Sequence, residues 1–407
     1  MKDRRQMDIT TQLEFIKKGT AEIVPEAELF QKLEEAGRQK KALRIKLGVD
    51  PSSPHIHLGN AVVIRKLRDF QQLGHQVVFI VGDFTGRIGD PSGRAATRRQ
   101  LSEEEVKTNM ATYKEQVGRI LDVEKTEFRC NSEWLGRLTP FEIVKICSFQ
   151  TVARMLERDD FSIRFKESRP IGIHEFLYPL FQGYDSVAIR ADVELGGTEQ
   201  KFNLLLGREL QIYYGQKPQV AVTMPILVGI DGVKRMGKSL SNYVGITESP
   251  KEIFGKIMSI PDNIIVHYFE LATEISSSDL EKIKTALSKG ENPRNFKARL
   301  GKEIVSLYHG KAAAEKAELE FDRIFKEKGL PEKIEEYRIE AGKKIWLVRL
   351  LVETGLVKTN SDARRLIQQG AVEIDGEMIS DIEKELSLKK PIVIKVGKRR
   401  FLKIVPK

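Results

Sequence analysis

Two short stretches of the sequence gather side chains that can hold phosphate. The first is Asp50-Pro51-Ser52-Ser53-Pro54-His55-Ile56-His57-Leu58-Gly59-Asn60. It lies between an expected strand, Leu43–Val49, and an expected helix, Leu58–Leu73, whose apolar residues recur at 58, 62, 63, 67, 70 and 73. Unpaired backbone N–H groups at a helix N-terminus, together with the helix dipole, favour a bound phosphate. Gly59 lets a ligand approach the backbone, while His57 and Asn60 add side-chain donors. The second stretch, Lys234-Arg235-Met236-Gly237-Lys238-Ser239-Leu240-Ser241-Asn242, sets three cations within five positions around a glycine. Either stretch alone also reads as an ordinary surface loop. Together, in one α/β framework, they suit a polyphosphate.

That framework is legible in the first 245 residues, where short apolar runs alternate with longer helical patterns. Val77–Val81 is β-branched and reads as a buried strand. It leads into Gly82-Asp83-Phe84-Thr85-Gly86 and Gly89-Asp90-Pro91-Ser92-Gly93. Ser102-Glu103-Glu104-Glu105 has the form of a capped start, and its helix is expected to run to about Leu121. Strand, loop, helix, strand predicts a parallel α/β sheet, with ligands outside the carboxyl ends of the strands. Tyr178, Gln182 and Asp185 stand at i, i+4 and i+7, one face of a helix that is expected to start or kink at Pro179.

From Ser249 to about Phe325 amphipathic helical stretches dominate, such as Asp279–Ser288 and Asn292–Tyr308. Lys326–Lys344 reads as a charged connector. The end of the chain has a short helix near Trp346–Val352, a cap at Thr359–Asp362, a helix Ala363–Gln369 stopped by Gly370, and a hairpin turn at Asp375-Gly376. Strands are expected at Ile392–Val396 and Arg400–Val405. The expected domains are 1–245, an α/β parallel-sheet domain; 246–340, a helical subdomain and connector; and 341–407, a small α+β domain. There is no internal repeat and no low-complexity tract.

The 407 residues carry 68 Lys+Arg against 58 Asp+Glu, a formal charge of +10. Residues 341–407 hold 15 of those cations and 8 of the anions, so +7 of the excess sits in the last 67 residues. A near-neutral body with a basic terminal module points to a polyanionic partner or to a solvated basic surface. The first ten residues lack a signal peptide's apolar stretch, and no run approaches the roughly 18 apolar residues needed to span a bilayer. Two cysteines, Cys130 and Cys147, cannot build a disulfide framework. A cytoplasmic protein with no membrane partner is expected.

The paired stretches resemble the signatures of class I aminoacyl-tRNA synthetases, in which a Rossmann-like sheet carries the site. His57-Leu58-Gly59-Asn60 stands at the family's "HIGH" tetrapeptide and Arg235-Met236-Gly237-Lys238-Ser239 at "KMSKS". Further residues resemble the bacterial type of tyrosyl-tRNA synthetase. The resemblance implies that Tyr178, Gln182 and Asp90 hold the amino acid's ammonium, with Thr85 in the same loop, and that Asp185 accepts from the tyrosine phenol. It implies that Gly196-Gly197-Thr198-Glu199-Gln200 serves the ATP ribose through Gly197 and Glu199 and the tyrosine region through Gln200. It also places Asn131, near Trp134, at the tyrosine pocket. Asp50, Ser52, His57, Gly59, Asn60, Met236, Lys238 and Ser239 are the remaining implied ATP contacts. The catalytic set that the resemblance implies is His57, Asn60, Lys238, Arg235 and Lys234. Ser361–Val372 resembles an S4-type RNA-binding segment, with Ala363, Leu366 and Ile367 facing the core and Arg364, Arg365, Lys398, Arg399 and Arg400 left for tRNA.

Four positions depart from the family's usual residues. Asn60 replaces a histidine, Arg235 a lysine and Glu199 an aspartate. Lys46 stands where many bacterial members have a tyrosine. The implied reaction joins the tyrosine carboxylate to the α-phosphate of ATP and then charges tRNA(Tyr). The nucleophile is already an anion, so no general base is required, and Mg2+ arrives with ATP; no tightly bound cofactor is expected. A buried acceptor that phenylalanine would leave unpaired rejects it without editing, a rule for which tyrosyl enzymes are themselves the standing example. The family is homodimeric. Two alternatives stand beside this one. A tryptophanyl-tRNA synthetase shares both signatures but lacks the Tyr178/Gln182/Asp185 set. An RNA-binding protein on the same scaffold would need no catalysis.

Overall fold

The computed structural model describes residues 7–92, 100–325, 334–340, 342, 344–387, 390–397 and 400–407. By its internal contacts the chain divides into two units, Met1–Ala314 and Glu315–Lys407.

The first unit is organised by six strands: β1 (Glu22–Val24), β2 (Arg44–Val49), β3 (Gln76–Val81), β4 (Thr126–Cys130), β5 (Val193–Gly197) and β6 (Val220–Met224). Their order is β1-β6-β5-β2-β3-β4. Every pair is parallel except the edge pair of β1 with β6. The apolar runs of β3 and β6 are buried on both faces, as helix-covered parallel strands are. The chain passes from β2 outward to β3 and β4, then returns to place β5 on the other side of β2. The switch point therefore lies between β2 and β5, where open α/β sheets bind ligands.

Register aligns the strand ends there. Val49 faces Val81 and Val81 faces Cys130, while Gly197 faces Met224. The loops beginning at Asp50, Gly82, Asn131 and Thr198 thus emerge along one edge. Both signature stretches follow strands that end on that edge, β2 and β6.

The helix after β2 spans Leu58–Gln72, within a residue of the expected bounds. The expected helix from Ser102 to about Leu121 is instead two, Glu103–Met110 and Tyr113–Val117. Side chains of both pieces reach the first signature loop. Asn109 donates to Pro51 O at 2.8 Å, Thr112 Oγ1 and Gln116 Nε2 donate to Pro54 O at 3.0 and 2.7 Å, and the Tyr113 hydroxyl donates to Ser53 O at 2.7 Å. Gln116 Oε1 in turn accepts from Ile56 N at 2.8 Å. These bonds pin the first signature loop from outside. The Pro179 helix also differs from expectation: it runs unbroken over Ile173–Ile189 with Pro179 inside. Its start lies at Gly172, where Glu175 accepts from Gly172 N at 2.7 Å and pairs with buried Arg164 at 2.6 Å.

Helices Pro250–Met258, Ile265–Ala272, Ser277–Ser288 and Pro293–His309 follow the sheet in this unit. The second of them reaches the segment just before the second signature. Tyr268 OH donates to Val228 O at 2.7 Å.

The second unit packs helices Leu347–Glu353 and Asn360–Gln368 against a five-stranded sheet, around fully buried Leu347, Val348, Leu351, Ala363, Ile367, Val372, Ile394 and Ile404. Thr359 caps the second helix by accepting from Asp362 N at 3.1 Å. Asp375 and Gly376 both have positive φ, 50° and 88°, in the hairpin turn between Val372–Ile374 and Glu377–Met378. The expected connector is partly structured. Glu336–Ile339 is a strand paired parallel to Arg400–Pro406, and Lys344–Trp346 pairs with Glu385–Ser387. Residues 326–333 lie outside the described residues.

Candidate active site

Along the shared strand edge the predicted tyrosine-side residues join one hydrogen-bonded network. Asp185 is buried at 3% exposure. Its Oδ1 accepts from Trp134 Nε1 at 2.7 Å and its Oδ2 from Asn131 Nδ2 at 3.2 Å. Asn131 Nδ2 also donates to Thr85 Oγ1 at 3.0 Å, and Thr85 Oγ1 donates to Asp50 Oδ1 at 2.7 Å. The Tyr178 hydroxyl donates to Asp50 Oδ2 at 3.0 Å. Asp50, expected on the ATP side, is thereby tied to the opposite group. A Cβ on Gly82 would lie 2.1 Å from Asp50 Oδ1, so only glycine allows that carboxylate to cross the backbone.

Burial pushes the Asp185 carboxyl up to about 7, against the nearby Lys46 charge and the hydrogen bonds from Trp134 and Asn131. Lys46 is itself wholly buried. Its ammonium pairs with Glu194 Oε1 at 2.8 Å and donates to Gln182 O and Ser186 Oγ, both at 2.8 Å. Lys46 therefore fastens the helix carrying Tyr178, Gln182 and Asp185 onto β2 and β5.

A second group of side chains surrounds Asp90. Its Oδ2 accepts from Gln200 Nε2 at 2.9 Å, and its Oδ1 accepts from Ser92 N at 2.9 Å. Asn203 Nδ2 donates to Gln182 Oε1 at 3.0 Å and Gln200 Oε1 at 2.9 Å. Gly93, at the end of this loop, lies outside the described residues.

On the phosphate side, His57 is the N-cap of the helix Leu58–Gln72. Its Nδ1 accepts from Asn60 N at 3.4 Å, and Asn60 Oδ1 accepts from His57 N at 3.2 Å. Burial, with the Arg235 charge, lowers the imidazole to about 4, so it is neutral near pH 7. With Nδ1 accepting, the proton sits on Nε2 and that edge can donate. A Cβ on Gly59 would meet His57 Nδ1 at 3.1 Å and Met236 Cβ at 3.6 Å, so the two signatures touch at this glycine.

The second signature is held by Asn242, which is buried. Asn242 Oδ1 accepts from Gly237 N at 2.9 Å, and Asn242 Nδ2 donates to Arg235 O at 3.1 Å and Asp231 Oδ2 at 2.7 Å. Asp231 Oδ1 accepts from Val233 N and Lys234 N at 2.9 and 3.0 Å. Met236 is buried, Arg235 is half-buried, and Lys234, Lys238 and Ser239 are exposed. Among the described residues none of the three cations has a carboxylate at ion-pair distance. Glu199 lies beside Gly197 with a buried Oε2 that has no hydrogen-bond partner among the described residues; burial raises its carboxyl, opposed by Arg235. Ser52 is exposed at the mouth of the first loop.

The chain matches the family of tRNA synthetases class I (W and Y) over residues 38–326, and the tyrosine–tRNA ligase SYY-like C-terminal domain over 326–404. A tyrosine–tRNA ligase of Moorella thermoacetica is 53% identical over 400 residues, covering 98% of this chain and 97% of that one. The chain belongs to the tyrosine–tRNA ligase family. Another member, from Carboxydothermus hydrogenoformans, is 55% identical over 404 residues, 98% of each chain. The fold matches solved tyrosyl-tRNA synthetases. One from Archaeoglobus fulgidus, complexed with L-tyrosine, has a TM-score of 0.63 at 24% identity, covering 76% of this chain and 100% of that one. A C-terminally truncated mitochondrial one from Aspergillus nidulans has a TM-score of 0.64 at 22% identity, covering 79% and 95%.

Within this tyrosine–tRNA ligase fold several supporting residues escape a reading of the sequence: Arg158, Glu194, Asn203, Asp231 and Gln116. Arg158, Glu194, Asn203 and Gln116 meet partners distant in the chain, and Asp231 is marked only by the turn it closes onto Val233 and Lys234. The second unit presents Arg364, Arg365 and Arg400 as exposed side chains. Arg364 lies over the Trp346 ring at 5.1 Å, and Arg365 pairs with Asp362 at 3.2 Å. Lys398 and Arg399 lie outside the described residues. Among the described residues no helix is long and apolar enough to cross a membrane.

Proposed function

We propose that the chain activates L-tyrosine with ATP and transfers it to the 3′ end of its cognate tRNA, tRNA(Tyr). A tyrosine carboxylate oxygen attacks the α-phosphorus of ATP. The new P–O bond forms as the bond to the β-phosphate breaks, giving tyrosyl-adenylate and diphosphate. A tRNA ribose hydroxyl then displaces AMP. Since the first nucleophile is already charged, the protein's task is alignment and stabilisation of phosphate charge.

The observation that carries this reading is the Asp185 network. A buried carboxyl held by Trp134 and Asn131 is an acceptor for a phenol, and Asp90, Gln182 and Gln200 would receive the ammonium. Tyr178, Thr85 and Asn131 complete the tyrosine contacts. His57 and Asn60 serve the phosphates as neutral donors, and Lys234, Arg235 and Lys238 close on the β- and γ-phosphates. Gly59, Gly197, Met236, Ser52 and Ser239 shape the nucleotide site, with Asp50 bridging it to the tyrosine side and Glu199 accepting from the ribose.

Mg2+ enters as part of the ATP substrate. The donor chemistry fits that role: the carboxylates of Asp50, Asp90 and Asp185 are already engaged by protein donors, leaving the phosphates as the oxygen ligands.

The tRNA grip belongs to the terminal module, through Arg364, Arg365 and Arg400 and the neighbouring Lys398 and Arg399. The functional division is 1–245 for activation, 246–340 as helical subdomain and connector, and 341–407 for RNA. A homodimer is supported by large apolar side chains left exposed on the helices Pro140–Cys147, Asp159–Lys166 and Ile173–Ile189: Phe141 at 79%, Val144 at 62%, Phe165 at 64% and Ile173 at 80%. The cytoplasm, where tRNA and ATP are available, is the compartment that suits this chemistry.

Exchange of labelled pyrophosphate into ATP, run with tyrosine, with tryptophan and with neither, tests the reading. Exchange should require tyrosine; none with tyrosine would refute it.

A further inference from the structure

Arg158 is a buried arginine, 6% exposed, that touches neither signature. Its guanidinium makes contacts on every edge. Nε pairs with Asp160 Oδ1 at 2.8 Å, Nη1 donates to Asn203 Oδ1 at 3.0 Å, and Nη2 donates to Ser92 Oγ. The rings of Phe161 and Phe202 lie 5.3 and 5.8 Å from it.

Its importance lies in what Asn203 does next. An amide side chain has an accepting end and a donating end, and its partners decide which way it points. Arginine can only donate. Asn203 must therefore turn its oxygen to Arg158, which leaves its nitrogen to donate to Gln182 Oε1 and Gln200 Oε1 at 3.0 and 2.9 Å. The nitrogens of those two amides are then held by carboxylates: Gln182 Nε2 by Glu194 Oε1 at 3.3 Å, and Gln200 Nε2 by Asp90 Oδ2 at 2.9 Å, within the group assigned to the ammonium. Glu194 is itself held by Lys46 at 2.8 Å. The relay begins at an obligatory donor and both branches end at obligatory acceptors. Its direction is fixed along its whole length.

We propose that Arg158 is a positioning residue that sets the polarity of the amides facing the amino-acid substrate, so that Gln182 and Gln200 offer oxygen and not N–H to its ammonium group. Reversed amides would present donors to a cation, a repulsive arrangement. The inference rests on the assignment of Asp90, Gln182 and Gln200 to the tyrosine ammonium, and it deepens that assignment by naming what orients the group.

The test uses the full chain and two ligands: L-tyrosine and 3-(4-hydroxyphenyl)propionate, which is tyrosine without its ammonium. Dissociation constants are measured by calorimetry for the unsubstituted protein, Arg158→Met and Asn203→Leu. The second variant keeps Arg158 and breaks the relay one bond later, so it carries the test if the first fails to fold. Both variants should weaken tyrosine by about 10- to 100-fold, the scale of a lost charged hydrogen bond, and leave the ammonium-free ligand unchanged. Equal weakening of both ligands would make Arg158 merely structural and overturn the inference, as would unchanged tyrosine binding. If the unsubstituted protein bound the two ligands equally, the ammonium assignment itself would fall, and the inference with it.

Discussion

Trp134 Nε1 lies 2.7 Å from Asp185 Oδ1, and that bond reaches a carboxyl which burial pushes up to about 7. The indole donor and Asn131 both favour the ionised form, and so act against the protein's own desolvation of the group. The balance holds the Asp185 carboxyl well above the usual carboxylate range. A carboxylate can accept from the substrate phenol on either oxygen; a protonated carboxyl loses part of that capacity.

The sign of the pH effect follows. Raising pH through about 7 ionises Asp185 and improves acceptance of the phenol, while lowering pH protonates it. kcat/KM for tyrosine, which reports the free enzyme's groups, should fall as pH drops from 8 to 6. The corresponding value for phenylalanine should change much less. Trp134→Phe removes a donor to the ionised form, so the inflection should move to higher pH by about one unit. Pyrophosphate-exchange profiles of the two proteins measure this; an unmoved inflection would separate it from Asp185.

His57 titrates far below its usual range, so it contributes no inflection near 6.5. It acts as a neutral donor from Nε2. His57→Ala should lower kcat for activation by about 100-fold with little change in the tyrosine KM, as expected of a donor used only in the transition state. Gly59→Ala should act in the same direction more weakly, because its Cβ crowds the His57 ring. Steady-state exchange kinetics distinguish the two parameters.

Asn242 joins the ends of the second signature by bonding Gly237, Arg235 and Asp231. Asn242→Ala should loosen the segment carrying Lys234, Arg235 and Lys238. The expected result is a rise of about tenfold in the ATP KM, from losing about 1.4 kcal/mol of positioning, with tyrosine binding unaffected. Calorimetric titration with tyrosine beside exchange at varied ATP checks both halves.

A chain ended after residue 325 keeps both signatures and the whole six-stranded sheet. It should retain tyrosine-dependent exchange while losing tRNA charging, because the long-range charge that grips a polyanion lies beyond the cut. In the full chain, charging should weaken steeply with added salt while exchange does not. Aminoacylation and exchange measured on the same preparations test this division.

The parts of the site visible in the sequence are those built from local order. Tyr178, Gln182 and Asp185 share one helix, so their spacing alone aligns them. The two signatures are continuous segments between a strand and a helix or turn. The supports are invisible for the opposite reason. Arg158 meets Asn203 across 45 positions, and Gln116 reaches Ile56 across 60. The strand Glu336–Ile339 was read as connector because its partner, Arg400–Pro406, comes at the end of the chain. Lys46 was legible as a substitution but not as a fastening, which needed Glu194 on the neighbouring strand.

On the proposed function, the buried Asp185 carboxyl selects tyrosine by its phenol. The most direct measurement is kcat/KM for tyrosine and for phenylalanine in ATP–pyrophosphate exchange, comparing the unsubstituted protein with Asp185→Ala at pH 8. The substitution should lower the tyrosine-to-phenylalanine ratio by about 10- to 100-fold while the protein stays folded. An unchanged ratio in a folded variant would contradict it.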